Sequence, residues 1–446
     1  MEYNFRKSTI DTLFNIIVRG GYSNIEINHG MKEVEPRLEN LYRKLVLGVL
    51  ENMYFIDYAL RKVSNMKLKR LDLDVFVSLR LAVYQIFFLD NSKDYIVVNE
   101  TVEYVKEYIG LKESKYVNGV LRNIIRKRDF IEKSVEKLNF SDYLSVKYSY
   151  PVWMINKWMK QFGKDEIENV LDKNNAEANL NIRVNTEKID RDELLSLLLS
   201  KEINAELSSI ADKGIIINSM CNLDNLEEFQ TGLFSIQSES SMLVGQVLDP
   251  KEGSFVVDTC AAPGSKTMDY AERVGKSGKI IARDIYEKKL ELITNDSERL
   301  NLKNIKVEKY DASVIDEKNK AKADYVVVDA PCSGLGIIKR KPEIKFRRLE
   351  EDMKNFFNIQ YNILLASSQM VKVGGELIYS TCTTNVDENQ NIVRKFLKYN
   401  KKFEVVDISD KISDETMITE EGFALILPHV HEMDGFFIAK FKKNNM

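Results

Sequence analysis

The chain has 446 residues, 44% hydrophobic and 30% charged, which fits a soluble globular protein of two or three domains and excludes disorder and fibrous repeats. With only 20 Gly and 7 Pro, low-complexity linkers are not expected. The net charge of −3 excludes a basic nucleic-acid coat, although residues 1–130 carry 21 Lys and Arg against 17 Asp and Glu, a mild excess that permits local RNA-binding patches.

No membrane partner is expected. The most apolar region, Val75 to Leu89, is interrupted by Arg80 and Gln85 and is too short and polar for a bilayer. Residues 1–21 carry Glu2 and Asp11 and lack a signal peptide's apolar run, so a cytoplasmic location is expected. Cysteines stand at 221, 260, 332 and 382 and histidines at 29, 429 and 431, too few and too scattered for a disulfide framework or a structural zinc site. No metal is expected.

From Phe5 to about Arg128 apolar residues recur at three and four spacing, as in Leu41, Leu45, Val49, Met53 and Ile56, which predicts an all-α domain over residues 1–130. Residues 131–250 mix helical segments, Val152 to Phe162 and Arg191 to Leu199, with alternating runs, Leu180 to Val184 and Gly214 to Asn218; they read as a small α+β linker domain. Residues 251–446 alternate short β-rich runs, ending at Asp258, Asp284, Glu308, Asp329 and Ser380, with long helical ones. That rhythm predicts a mainly parallel sheet covered on both faces. Gly435 to Phe441 follows Phe403 to Ile408 without a helical crossover, so the last strand should enter antiparallel. A mainly parallel sheet with one reversed strand near the carboxyl end resembles the usual architecture of S-adenosylmethionine-dependent methyltransferases.

The first strand of that sheet runs into Asp258-Thr-Cys-Ala-Ala-Pro-Gly-Ser-Lys-Thr267. Small residues after the first strand of a doubly wound sheet let a cofactor approach the backbone. A dinucleotide would want G-x-G-x-x-G to seat its pyrophosphate, whereas the single Gly264 suits a cofactor without phosphates. Asp284, twenty residues on, closes the second strand, where a carboxylate can accept from both ribose hydroxyls. Either feature alone is commonly a bland turn or a helix cap.

Cys332, in Asp329-Ala-Pro-Cys-Ser-Gly334, and Cys382, in Tyr379-Ser-Thr-Cys-Thr383, end neighbouring central strands. A single such cysteine is more often an inert buried thiol. Three of four on one ligand-binding edge is a different matter. A thiol beside a methyl donor suits methylation at carbon 5 of a pyrimidine, because addition at carbon 6 makes carbon 5 nucleophilic. The thiol then needs positive charge or a base nearby, and a second polar group must assist release. Asp329 and Lys266 are the nearest candidates to bind the base edge and balance charge.

On these motifs, residues 253–442 resemble the RNA 5-methylcytosine methyltransferases of the Nop/Sun family. The resemblance implies S-adenosylmethionine held by Cys260, Ala261, Ala262, Pro263, Gly264, Ser265 and Lys266, by Asp284 on the ribose and Asp311 on the adenine side, and by Asp329. It makes Cys382 the nucleophile and Cys332 the residue that assists release. Ser265 stands where Gly is usual, which would reduce backbone freedom in the loop. The basic stretch Lys339 to Arg348, with six cations in ten residues, fits phosphate contacts. Asn181 to Thr186 and Gly232 to Ser241 resemble the family's linker domain, with Ser238 where Asp is common. Asn99 to Glu103 and Tyr116 to Ile125 resemble the RNA-binding factor NusB. That pairing is the arrangement of the family's bacterial members acting on small-subunit ribosomal RNA. The expected substrate is a specific cytosine of 16S ribosomal RNA, naked or in early assembly, the expected state a monomer, and Arg122, Arg126, Lys127 and Arg128 the expected RNA contacts of the helical domain. A nicotinamide-dependent oxidoreductase on the same topology lacks its glycine motif, and an RNA-binding assembly factor with a vestigial cofactor site would not need both thiols.

Overall fold

The computed structural model describes residues 2–90, 92–218 and 223–445, so Cys221 lies outside the described residues. The chain forms two compact units, one of residues 1–176 with 338–350, the other of 177–337 with 351–446.

The first unit is helical throughout. Its central helix, Leu73–Phe88, starts at Asp72, whose carboxylate accepts from the N–H groups of Asp74 and Val75 that the first turn leaves unpaired. The polar interruptions within it have partners. Arg80 donates twice to Asp57, at 2.8 Å each, and Gln85 accepts from Arg6 at 3.1 Å, so the helix can be buried on most sides. Of the cations expected to meet RNA, Arg122, Arg126 and Lys127 are exposed. Arg128 is not available: it donates to the Ile86 carbonyl at 2.5 Å and to Asp94 at 3.0 Å.

Residues 338–350 correct a second expectation. Lys345 is fully buried, donating to the Glu51 carbonyl at 3.1 Å and Asn175 at 2.6 Å, over the Tyr150 ring at 4.1 Å; burial pushes its ammonium down to about 7. Arg347 donates to the carbonyls of Ile16 and Gly21, and Glu343 accepts from the Ser23 N–H and hydroxyl. Lys345 and Arg347 therefore serve the interior of the helical unit and not phosphates, because the stretch alternates these cations with Ile344 and Phe346, which seat it against apolar surface.

In the second unit, β1 (Leu180–Val184), β2 (Ala205–Leu207), β3 (Gly214–Ile217) and β4 (Phe234–Ile236) form an antiparallel sheet in the order β2-β3-β1-β4. A larger sheet follows, of β5 (Phe255–Asp258), β6 (Lys279–Asp284), β7 (Ile305–Lys309), β8 (Ala323–Asp329), β9 (Val371–Thr381), β10 (Phe403–Val405), β11 (Ala424–Ile426) and β12 (Phe436–Lys443). Its order is β10-β12-β9-β8-β5-β6-β7, with β11 also on β12. The pairs from β7 to β9 are parallel, and β12 is antiparallel to β9, β10 and β11, so one strand is reversed, as expected. The central strands are apolar on both faces because each face has its own core, one around Val256, Val327 and Ile378 and one around Val257, Val328 and Tyr379.

The small sheet is tied to the helix Ser265–Arg273 through buried charge. Arg183 of β1 pairs with Glu272 and lies 3.6 Å from Asp269; Lys213 reaches Asp269 at 3.0 Å and Glu272 at 3.3 Å, and Arg273 reaches Asp269 at 3.0 Å. Burial would raise the Asp269 pKa, but Arg273, Lys213 and Arg183 hold it below the ordinary carboxylate range. These acids lie on the helix Ser265–Arg273, so the network fixes the element that begins at the expected cofactor loop.

Candidate active site

Register brings the chemistry to one edge. Asp258 of β5 pairs with Val327 of β8, and Asp329, two residues further along β8, pairs with Ser380 of β9, so all three strands end together. Ligands meet parallel sheets at this edge. Asp258 is buried and accepts from the Thr267 hydroxyl at 2.7 Å; loss of solvent raises its carboxyl to about 7.

The turn from Cys260 to Gly264 follows. Gly264 has φ +118°, a backbone conformation that strains any other residue, and a Cβ there would also press on Ile293 at 3.3 Å. Ser265 is the first residue of the helix and has no positive φ. The residue standing where glycine is usual therefore costs the loop nothing. Burial pushes the Cys260 thiol up, which keeps it protonated and unreactive.

Lys266 reaches across the edge to Asp329, Nζ to Oδ2 2.7 Å, while the other Asp329 oxygen accepts from the Ser380 hydroxyl at 2.9 Å. Burial would lower the Lys266 pKa, but Asp329, and next Cys382, raise it, so the ammonium stays charged beside the thiols. Cys332 Sγ and Cys382 Sγ lie 3.2 Å apart, and neither is in a disulfide. The hydrogen bond with Cys382, with burial, pushes the Cys332 thiol up.

Asp284 ends β6, and Asp311 follows β7 at the same edge. Asp284 accepts from the Tyr286 N–H at 2.9 Å, and among the described residues no cation pairs with it. An acceptor in that state fits neutral donors such as ribose hydroxyls. Asp311 accepts from the Ser313 N–H and hydroxyl, which hold it below its ordinary pKa. The edge thus offers an acid without an ion pair among the described residues and a glycine turn beside it, which fit the ribose hydroxyls and the close approach of S-adenosylmethionine. Among the described residues no group of three or more His, Cys, Asp and Glu could hold a metal, and no helix is long and apolar enough to cross a membrane.

Sequence reasoning missed a buried polar frame behind the thiols. Glu388 accepts from the Ser333 N–H and hydroxyl, from Gln360 and from Asn385, and Asn389 joins Thr381 to the Thr383 carbonyl. The signal was present: small hydroxyl residues, Ser333 and Thr383, directly follow both cysteines.

Comparison with known proteins finds relatives along the whole chain. Residues 245–442 match the family described as 16S rRNA methyltransferase RsmB/F, residues 150–224 its ferredoxin-like domain, and residues 3–126 the NusB family. The chain is 32% identical to the probable ribosomal RNA small subunit methyltransferase B of Bacillus subtilis (strain 168) over 98% of each chain. It is 29% identical to ribosomal RNA small subunit methyltransferase B of Vibrio vulnificus (strain YJ016) over 99% of each. The crystal structure of PH0851 superposes with a TM-score of 0.86 at 26% identity, over 99% of this chain and 98% of that one. The chain therefore belongs to the RsmB family of S-adenosylmethionine-dependent 16S rRNA methyltransferases, with a NusB-type helical domain preceding the ferredoxin-like and catalytic domains.

Proposed function

We propose that this protein methylates carbon 5 of a specific cytosine in 16S ribosomal RNA through a covalent bond between Cys382 and the base. The observation that carries the reading is the thiol pair, 3.2 Å apart at the ends of adjacent strands and beside the Lys266–Asp329 pair. Methylation at nitrogen or oxygen has no use for it.

When bound, S-adenosylmethionine supplies an electrophilic methyl group. Cys382 is the nucleophile, the role that the resemblance gives the thiol of the Thr-Cys motif, and the charged Lys266 ammonium stands near it. Its sulfur bonds to carbon 6 of cytosine, and the ring electrons released by that addition let carbon 5 take the methyl group. Asp329 binds the polar edge of the base and, with Lys266, balances charge as the ring is attacked. Loss of the carbon 5 proton to water then restores the ring double bond and expels the Cys382 thiolate. Cys332, in contact with that sulfur, assists the expulsion. The Cys260 to Lys266 loop, Asp284, Asp311 and Asp329 hold the cofactor. The helical domain supplies RNA affinity, and the enzyme works as a cytoplasmic monomer on naked or early-assembly RNA.

Cys382→Ala should bind RNA and cofactor yet transfer no methyl group and form no adduct. Cys332→Ala should methylate and stall with RNA bonded to Cys382, a product that survives denaturing electrophoresis. An adduct in Cys382→Ala and none in Cys332→Ala would exchange the roles. Wild-type turnover in Cys382→Ala would sink the covalent mechanism. A mature small subunit proving the better substrate would overturn the early-assembly reading.

A further inference from the structure

Two sequence-distant loops carry the thiols, and neither strand end alone brings the sulfurs together. One side chain spans both loops. Glu388, fully buried, takes the Ser333 N–H on Oε2 at 2.8 Å and the Ser333 hydroxyl on Oε1 at 2.5 Å, directly behind Cys332. The same oxygens take Gln360 Nε2 at 2.9 Å and, from the Cys382 loop, Asn385 Nδ2 at 2.8 Å. Ser333 and Thr383 complete the bridge, their hydroxyls 2.9 Å apart. Four donors converge on one side chain that can only accept, the pattern a carboxylate satisfies and an amide does not.

We infer that Glu388 is a positioning residue that sets the distance between the two thiols, Cys332 and Cys382. The inference rests on the thiol chemistry proposed above. Its test has a readout independent of that chemistry, the ease with which the pair forms a disulfide. One oxidised glutathione takes two electrons from the two thiols, an Sγ–Sγ bond forms, and two glutathione thiols are released. The equilibrium constant of this exchange measures how closely the protein holds the sulfurs.

Glu388→Gln keeps the size of the side chain but turns an NH2 group toward donors. In glutathione redox buffers, with the joined peptides quantified by mass spectrometry, its constant should fall at least about tenfold. Methyl transfer to unmodified 16S RNA should lose a similar factor in kcat, with KM for cofactor and RNA unchanged. Ser333→Ala, which removes the hydroxyl bridge and no buried charge, should lower the constant about threefold. An unchanged constant in a Glu388→Gln protein that still binds S-adenosylmethionine overturns the inference. If that variant fails to bind, an unchanged constant in Ser333→Ala overturns it instead. A lowered constant with wild-type methyl transfer would leave Glu388 as the spacer of the thiols and refute their joint use in catalysis.

Discussion

Asp258 gives the protein a stability that depends on pH in an unusual direction. Its carboxyl is raised to about 7 by loss of solvent first, with the Asp329 charge adding to the shift, and Thr267 and Lys266 opposing it. Between about pH 4, where an aspartate of the unfolded chain releases its proton, and about 7, where Asp258 does, the folded state holds a proton that the unfolded state lacks. Stability therefore falls as pH rises through that window and levels off above it. The whole difference is about three pH units, or roughly 4 kcal/mol at about 1.4 kcal/mol per unit. Asn cannot titrate but can still accept from Thr267. Urea unfolding of wild type and Asp258→Asn from pH 4.5 to 8.5 isolates the effect, since every other group titrates in both proteins. The variant should gain on wild type as pH rises, by about 2–4 kcal/mol between the ends of the series. Parallel curves for the two proteins would show that Asp258 is ionised throughout and would refute the reasoning.

Other substitutions probe the remaining parts of the edge and the helical domain. Asp284→Ala removes a charged acceptor from the ribose, a loss of about 1.5–3 kcal/mol, so calorimetry should find S-adenosylmethionine bound at least tenfold more weakly. Unchanged affinity would move the ribose contact elsewhere. Arg183→Met leaves Glu272 and Asp269 buried with one cation fewer, and should lower the stability of the second unit by about 3–5 kcal/mol in chemical unfolding. Reversing Arg122, Arg126 and Lys127 together to Glu should weaken RNA binding and flatten its salt dependence by up to about three phosphate contacts, with cofactor affinity unchanged. An unaltered salt slope would remove this face from recognition.

The catalytic sheet was legible because burial on both faces writes each parallel strand as a short apolar run, and three of the runs end in an aspartate that the edge uses. Asp258, Asp284 and Asp329 mark strand ends in the sequence and lie at strand ends in the fold. The reversal of β12 was legible from the missing crossover. The strands β2, β4 and β11 were not, for three residues are too few to display a period of two. Ser265 shows a subtler limit. Its departure from glycine looked costly in the sequence, yet the left-handed backbone falls one residue earlier, on Gly264.

The stretch from Lys339 to Arg348 marks where charge ceases to be a guide. Six cations in ten residues read as a phosphate-binding loop, since exposed lysine and arginine are the rule and buried ones need partners. The partners exist, but they come from residues far away in the sequence: the Glu51 carbonyl and Asn175 for Lys345, the carbonyls of Ile16 and Gly21 for Arg347. No local pattern announces a main-chain carbonyl waiting some 300 residues upstream. The same reasoning explains why Glu388 escaped notice while Cys332 and Cys382 did not. A thiol declares its chemistry by residue type, whereas a carboxylate becomes informative only when burial strips away water and the donors that replace it identify what it holds in place.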